Sequence, residues 1–460
     1  MFKKVLIANR GEIAIRVIRA LREMGIESVA VYSTADEKAQ YVREADEAVC
    51  IGGSQSSSSY LNMKNIISAA LLTGAQAIHP GYGFLSESPE FAQACEKCNL
   101  AFIGPLSNTI LLMGNKVNAR EVMRKNKIPI IPGSNGAVQN AADALVVAQR
   151  VGFPIMLKAV SGGGGKGIRQ VNRPEELTST FMEAKKEAEL SFGDGRIYLE
   201  KSITPAKHIE VQIICDQFRH VVVFPERDCS MQRAHQKIIE ETPCSQITLK
   251  ERKYLQKIAF KAVKAIKYQN AGTLEFLMDS EHRFYFMEMN TRIQVEHAIT
   301  EEVAQVDLVK EQIRIAAGQK LSIKQDDVEV HGNAVEARIN AEDPLKNFQP
   351  QSGKIKKMSL PGGLGIRIES GTNSGDEISP YYDSMIVKII SHATDRLTAI
   401  KRLLYALSEF NIDGLTTNCN FLMKLLQDQS FISGEYLNTY IDQKFLQQYI
   451  NATKEENKND

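Results

Sequence analysis

At 460 residues the chain is long enough for about three domains. Its 56 Lys and Arg nearly cancel its 55 Asp and Glu, which removes the electrostatic case for a dedicated nucleic-acid binder. Seven scattered cysteines read as reduced thiols, and no stretch approaches the roughly 18 apolar residues of a membrane span. The apolar run Val5–Ala8 ends too early for an export signal, which needs about 7–15 residues, so the expected address is cytoplasmic.

The first hundred residues alternate strand and helix. Lys4–Ala8 reads as a strand. Residues 12–24 then place Ile13, Val17, Ala20, Leu21 and Met24 on one helical face, with Arg16, Arg19, Arg22 and Glu23 on the other side. Ser28–Tyr32 and Ala77–His79 are further strands and Asn65–Thr73 a helix, an order that implies a parallel sheet with crossover helices. The segment after the first strand, Asn9-Arg10-Gly11-Glu12, lacks a Gly-x-Gly-x-x-Gly fingerprint, so a nicotinamide dehydrogenase is not expected.

A second unit begins near Lys116. A helix over 141–151 leads to a strand, Phe153–Ala159, and then to the run Ser161-Gly162-Gly163-Gly164-Gly165-Lys166-Gly167. Successive glycine N–H groups can cradle phosphate oxygens. With Lys158 and Lys166 flanking it, the run suits a mobile phosphate lid, although a surface loop has the same composition. It is not a Walker A loop, because no Gly-Lys-Ser/Thr closes it. Strand-like runs near 196–201, 208–215, 219–225, 271–278 and 283–290 make this unit mixed α/β with much antiparallel pairing. A third unit starts near His331 and closes with a helix over 394–410, where Leu397, Ile400, Leu404, Leu407 and Phe410 line one face. Residues 451–460 are polar and charged and are expected to form a disordered tail.

Three further patterns suggest chemistry. Glu288, Asn290 and Arg292 alternate along an extended segment that Gln294 and Glu296 continue, and Glu275 stands in an apolar strand just upstream. Two carboxylates on apolar strands need a counter-charge, either magnesium or a salt-bridging arginine such as Arg283 or Arg292. The stretch Glu226–Pro243 is dense in hydrogen-bonding groups and reads as a site-lining or an exposed charged loop. Within it, Cys229 reads as a buried thiol. The lone pair Cys95 and Cys98 is a poor zinc site, and His79–Glu87 follows a strand where open parallel sheets place ligands.

Taken together, the Gly-rich run, Glu275 and Glu288-x-Asn290 resemble the ATP-grasp ligases. The segments His79–Glu87, Glu226–Lys237, Met289–His297 and Val335–Pro344 resemble biotin carboxylase specifically, over about residues 2–445. Departures are Ala234 in place of a common Arg, Lys166 where Arg is frequent, and one extra residue between Glu275 and Glu288. The resemblance implies an N-terminal parallel α/β domain (1–115), an ATP-grasp domain (116–330) with a lid over about 130–203, a C-terminal mixed α/β domain (331–446) and a polar tail (447–460).

It also implies roles residue by residue. ATP would be held by Lys116, Lys158, Gly163, Gly164, Gly165, His208, His235 and Lys237, with Glu200, Lys201, Ser202 and Ile203 at adenine and Gln232 at ribose. Magnesium or manganese would sit on Glu275, Glu288 and Asn290. Bicarbonate would lie among Lys237, Arg292, Gln294 and Val295 with Glu296 as base, and biotin against Tyr82 and Arg338. Biotin would arrive on a separate carrier protein, with carboxyltransferase subunits as partners in an acetyl-CoA, propionyl-CoA or pyruvate system. The chain would form a homodimer through a face holding Arg19, Glu23 and Arg367. Neither Met63-Lys64, just before a helix, nor Met423-Lys424, in an apolar cluster, suits a biotinylated hairpin, and the residues past about 445 are too few for a carrier domain. The other readings are a different ATP-grasp ligase, or a nucleotide-sensing protein without turnover.

Overall fold

Lys4–Ile7 is the central strand of a five-stranded parallel sheet, flanked by Glu27–Ser33 and Glu47–Gly52 on one side and by Ala77–His79 and Ala101–Phe102 on the other. The protein is seen in a computed structural model that describes residues 1–161 and 167–459. The sheet order reverses between Lys4–Ile7 and Ala77–His79, where the loops leaving two neighbouring strands diverge and open a crevice. Asn9 spans that point, its side-chain amide donating to the carbonyls of Pro80 and Tyr82 at 2.7 Å each. Gly81 has φ +60°, and a Cβ there would stand 2.8 Å from Asn9 Nδ2, so the close approach needs glycine.

The helix Gly11–Glu23 buries Ile13, Val17 and Leu21 as its periodicity predicts. Arg16, expected on the outer side, is buried instead and pairs with Glu301 at 2.8 Å and Asp307 at 2.7 Å. A second body of structure covers that side of the helix, which a charged side chain tolerates only with such partners.

Ile155–Ala159, Ile168–Val171 and Ile197–Lys201 form a small antiparallel sheet with its own apolar core, including Leu157, Phe181 and Leu199. The run Gly162–Lys166, with Gly163, Gly164 and Gly165, lies outside the described residues.

The largest element is an eight-stranded antiparallel sheet. Its order is Phe284–Asn290, Asn270–Met278, Lys207–Cys215, Val221–Arg233, Gln236–Thr242, Asn333–Asn340, Met385–Ala393 and Ile366–Ser370. It runs unbroken across the boundary expected near residue 331, because Gln236–Thr242 pairs with Asn333–Asn340. The stretch 226–243, expected as a loop, is a buried hairpin. Arg233 and Gln236 pair across a two-residue turn, and Ala234 and His235 both have positive φ, 48° and 66°. Its buried charged side chains meet partners distant in sequence, Glu226 taking Arg252, Arg227 reaching Thr300 and Glu241 taking Arg396, a pairing that local sequence does not display.

The helix Arg396–Glu409 buries Ile400, Leu403 and Leu407 but leaves Leu397 exposed, so its apolar stripe is offset from the expected one. The expected disordered tail belongs to a helix, Leu446–Asn459. Tyr449 meets the Phe421 ring edge-on at 5.0 Å, and Leu446 packs on the same core, which anchors the first turns of the helix.

Candidate active site

His208, Glu210 and Gln212 alternate with Ile209, Val211 and Ile213 along one strand, so the apolar set enters the core while the polar set faces the site. Register carries this pattern sideways. Arg227 lies opposite Glu210, Glu210 opposite Glu275, and Glu275 opposite Glu288, one row of charge across four strands. Like charges facing each other across a sheet are unfavourable, so cations must come from elsewhere.

They come from Lys237 and His208. The Lys237 ammonium donates to Glu210 and, at 2.7 Å, to Glu296 Oε1, and lies 3.5 Å from Glu275. Burial would lower the Lys237 pKa, but Glu210, Glu275 and Glu296 raise it well above its ordinary value, so the group stays charged. His208 contacts Glu275 Oε2 at 2.9 Å and the Gln232 amide at 2.6 Å. Burial favours its neutral form, but Glu275 and Glu210 outweigh that and push it up to about 9.

Glu296 sits at the N-terminus of the helix His297–Ala304, yet its side chain does not cap that helix. It turns inward, where Oε1 takes Lys237 and Oε2 accepts from Arg338 at 2.8 Å. Burial alone would raise its pKa, but Lys237 and Arg338 hold it below the usual carboxylate range. Gln294 donates to Glu275 Oε1 at 2.9 Å and accepts from Arg227, and Asn290 donates to the same Glu275 oxygen at 2.5 Å. Arg292 is held by Glu87 at 2.9 Å and by Asn290 at 3.0 Å.

A cavity of about 850 Å³ opens beside this network, lined among others by Glu12, Tyr82, Val295 and Arg338. It joins the crevice of the parallel sheet to the C-terminal strands.

At the other end, Lys116 pairs with Glu288 at 3.1 Å and Lys158 with Glu200 at 2.5 Å, while Glu200 also takes Arg120. Ser202 is buried, and its hydroxyl has no hydrogen-bond partner among the described residues. Lys201 donates to the carbonyls of Gly152 and Phe153, at 3.1 and 2.7 Å, away from the central network. Ile203 is half-buried, and His235 is exposed on the hairpin turn.

The donor set suits a hard divalent cation. Glu275 and Glu288 offer carboxylate oxygens and Asn290 an amide oxygen, here turned to Arg292, and burial raises the Glu275 pKa despite Lys237, the mark of a carboxylate short of positive charge.

Sequence reasoning missed Glu12, Glu210, Arg227, Glu240, Glu336 and Lys388, all buried around this network. The alternation at His208, Glu210 and Gln212 would have signalled Glu210, and Arg227 and Glu240 lie in the polar stretch Glu226–Pro243 without being singled out within it.

Three family models match in order: the biotin carboxylase N-terminal domain over residues 1–110, the carbamoyl-phosphate synthase L chain ATP-binding domain over 115–324, and the biotin carboxylase C-terminal domain over 336–443. Biotin carboxylase 1 of Bacillus subtilis is 51% identical over 450 residues, covering 98% of this chain and 99% of that protein. The chain belongs to the biotin carboxylase family. As a biotin carboxylase it is an ATP-grasp enzyme that carboxylates biotin in an ATP-dependent reaction. A solved Campylobacter jejuni biotin carboxylase in complex with a nucleotide described as β-γ-ATP has a TM-score of 0.94 at 45% identity, covering 96% of this chain and 99% of that one. The biotin carboxylase domain dimer of Hydrogenobacter thermophilus 2-oxoglutarate carboxylase, solved with MgADP, ADP and bicarbonate, has a TM-score of 0.93 at 46% identity, covering 96% of this chain and 97% of that one. Among the described residues no helix is long and apolar enough to cross a membrane.

Proposed function

We propose that this biotin carboxylase acts on biotin held by a separate carrier protein, with Glu296 as the base that activates bicarbonate. The supporting observation is the placement of Glu296, buried between Lys237 and Arg338 where the charged row of the large sheet meets the Tyr82 cavity. Bicarbonate is a poor nucleophile, so a carboxylate within hydrogen-bond reach must take its proton as its oxygen attacks the γ-phosphorus of ATP. Bicarbonate on Lys237, Arg292, Gln294 and the Val295 peptide shares Lys237 with Glu296. That sharing loosens the hold on Glu296 and strengthens it as a base.

Attack transfers the γ-phosphoryl group to bicarbonate oxygen and releases ADP. Lys116, Lys158, His208, His235 and Lys237 offset the phosphate charge, while Glu200, Lys201, Ser202 and Ile203 hold adenine and Gln232 the ribose. A magnesium or manganese ion on Glu275, Glu288 and Asn290 would supply further neutralisation of phosphate oxygens. The resulting carboxyphosphate breaks into carbon dioxide and phosphate. Phosphate takes the ureido N–H proton of biotin, Arg338 stabilises the negative ureido oxygen, and the nitrogen attacks carbon dioxide. Gly163, Gly164 and Gly165 would close over the phosphates and exclude water.

The acetyl-CoA carboxylase setting, with a carboxyltransferase partner and a cytoplasmic location, is the preferred context. Propionyl-CoA or pyruvate as final acceptor is the alternative. A homodimer would use the face where Arg19 reaches Glu369 at 3.7 Å, Glu23 holds Lys310 and Arg367 holds Glu301.

The test supplies ATP, labelled bicarbonate and either free biotin or a biotinylated carrier. ADP release that requires bicarbonate, rises with biotin and yields labelled carboxybiotin is expected. ATP cleavage indifferent to bicarbonate and biotin would overturn the reading.

A further inference from the structure

Lys388 is fully buried in the strand Met385–Ala393, directly across the ladder from Arg338. An ammonium in that position is costly unless every donor is used well. Its Nζ donates to the carbonyl of Val295 at 2.5 Å and lies 3.2 Å from Glu12 Oε1. That same Glu12 oxygen accepts the Tyr82 hydroxyl. Burial would lower the Lys388 pKa, but Glu12, Glu336 and Glu369 raise it, so the group is a cation.

The four groups come from four separate parts of the chain: the first helix, the loop after Ala77–His79, the turn before Glu296 and a C-terminal strand. Glu12, Tyr82 and Val295 line the cavity, whereas Lys388 stands behind its wall. In the proposed function, Val295 belongs to the bicarbonate end and Tyr82 to the biotin end of one transfer path. Carbon dioxide must cross that path before water competes, so the separation of the two ends has to be fixed.

We propose that Lys388 and Glu12 are positioning residues that tie the Val295 carbonyl to the Tyr82 hydroxyl and so set the bicarbonate and biotin subsites at a fixed spacing. This rests on the proposed function. It differs from a role in stability alone, because it makes Lys388 act on substrate coupling through Tyr82.

The test compares wild type, Lys388→Met, Lys388→Arg, Glu12→Gln, Tyr82→Phe and the Lys388→Met/Tyr82→Phe pair, using free biotin. We expect Lys388→Met to raise the KM for biotin about tenfold, with a much smaller change in the KM for ATP, and to increase the share of ATP cleaved without carboxybiotin formed. Lys388→Arg should recover most of the loss. In the Tyr82→Phe background, Lys388→Met should add less than about threefold, because the tie is already broken. Glu12→Gln, which keeps its size, should raise the biotin KM even if Lys388→Met does not fold.

A wild-type biotin KM and coupling ratio in Lys388→Met or in Glu12→Gln would overturn the inference. So would effects of Lys388→Met and Tyr82→Phe that multiply, or a parallel rise in every KM. Wild-type enzyme that shows no biotin-stimulated ATP cleavage would instead overturn the functional reading, and this inference with it.

Discussion

Lys237 and Glu296 are joined by a charge-assisted hydrogen bond of 2.7 Å inside a network that bulk water does not reach freely. In the proposed function Lys237 therefore serves the base and the phosphate and bicarbonate ends at once, and the two are electrostatically coupled.

Glu296→Ala should separate binding from chemistry. Biotin-dependent ATP cleavage should fall by roughly a hundredfold or more, the scale of a lost general base. The KM for ATP should stay within about threefold, because Glu200 and Ser202, proposed to hold adenine, lie in a different strand and loop. Steady-state kinetics at saturating bicarbonate would check this, and comparable turnover in the mutant would exclude Glu296 as the base.

How much of this was readable beforehand differs by residue. Glu275, Glu288 and Glu296 stand out because carboxylates interrupt apolar or alternating runs, and their neighbours in sequence are also neighbours in space. Glu240 and Glu336 give no such signal. Each looks like an ordinary charge at its position, and the partners that make it special are distant in sequence: Arg338 for Glu240, and Lys388 for Glu336. For the same reason Arg16 and the 226–243 hairpin are buried where local sequence points outward. Local periodicity reports which side of an element is apolar. It does not report which polar residues a distant strand will cover.

Glu336 yields a prediction about pH. It lies opposite Glu240 in the sheet, and neither of its oxygens has a hydrogen-bond partner among the described residues. Burial pushes its carboxyl up from 4.5 to about 8, with Lys388 pulling against the shift and Glu240 adding to it. The folded chain keeps this proton where the unfolded chain has released it. The stabilisation is therefore complete below about pH 4.5 and is lost as pH rises toward 8. Glu336→Gln, neutral at every pH, should escape the loss. Its stability relative to wild type should rise by on the order of 1 kcal/mol per pH unit between pH 5 and 8. Denaturant unfolding at pH 6 and pH 8 measures this, and a constant difference would mean that Glu336 is ionised in the folded chain.

Ala234 occupies the left-handed region at φ 48°, which costs a residue with a Cβ about 1 kcal/mol. Its N–H donates to Asp442 at 2.9 Å, a bond that glycine would keep. Ala234→Gly should therefore stabilise the hairpin by about 0.5 kcal/mol after the entropy of glycine in the unfolded chain is charged against it. A small increase in the denaturation midpoint is the expected result, and a decrease would show that the Cβ makes a contact worth more than the strain.

The last prediction concerns where biotin is attached. A biotinylated lysine is presented in a Met-Lys pair at the tip of a tight hairpin, where an enzyme can reach the extended backbone on both sides. Met63-Lys64 opens the helix Met63–Leu72, whose N-terminus Asn62 caps by accepting from the Asn65 N–H at 3.1 Å. Met423-Lys424 lies within the helix Cys419–Leu426, where Phe421, Leu422, Leu425 and Leu426 are buried and Met423 packs on the same core. Both lysine side chains are exposed, so reach alone does not protect them. Helical backbone does, because its curvature hides the flanking residues and, at Lys424, its N–H and C=O groups are spent on the helix. Presenting Lys424 would also require pulling several buried apolar side chains into water, at about 1.5–3 kcal/mol each. Co-expression with a biotin ligase followed by intact mass spectrometry should show the unmodified chain, and the same preparation should carboxylate a separate biotinylated carrier far better than free biotin. A biotin adduct on Lys64 or Lys424 would show instead that one of these helices opens to serve as the carrier.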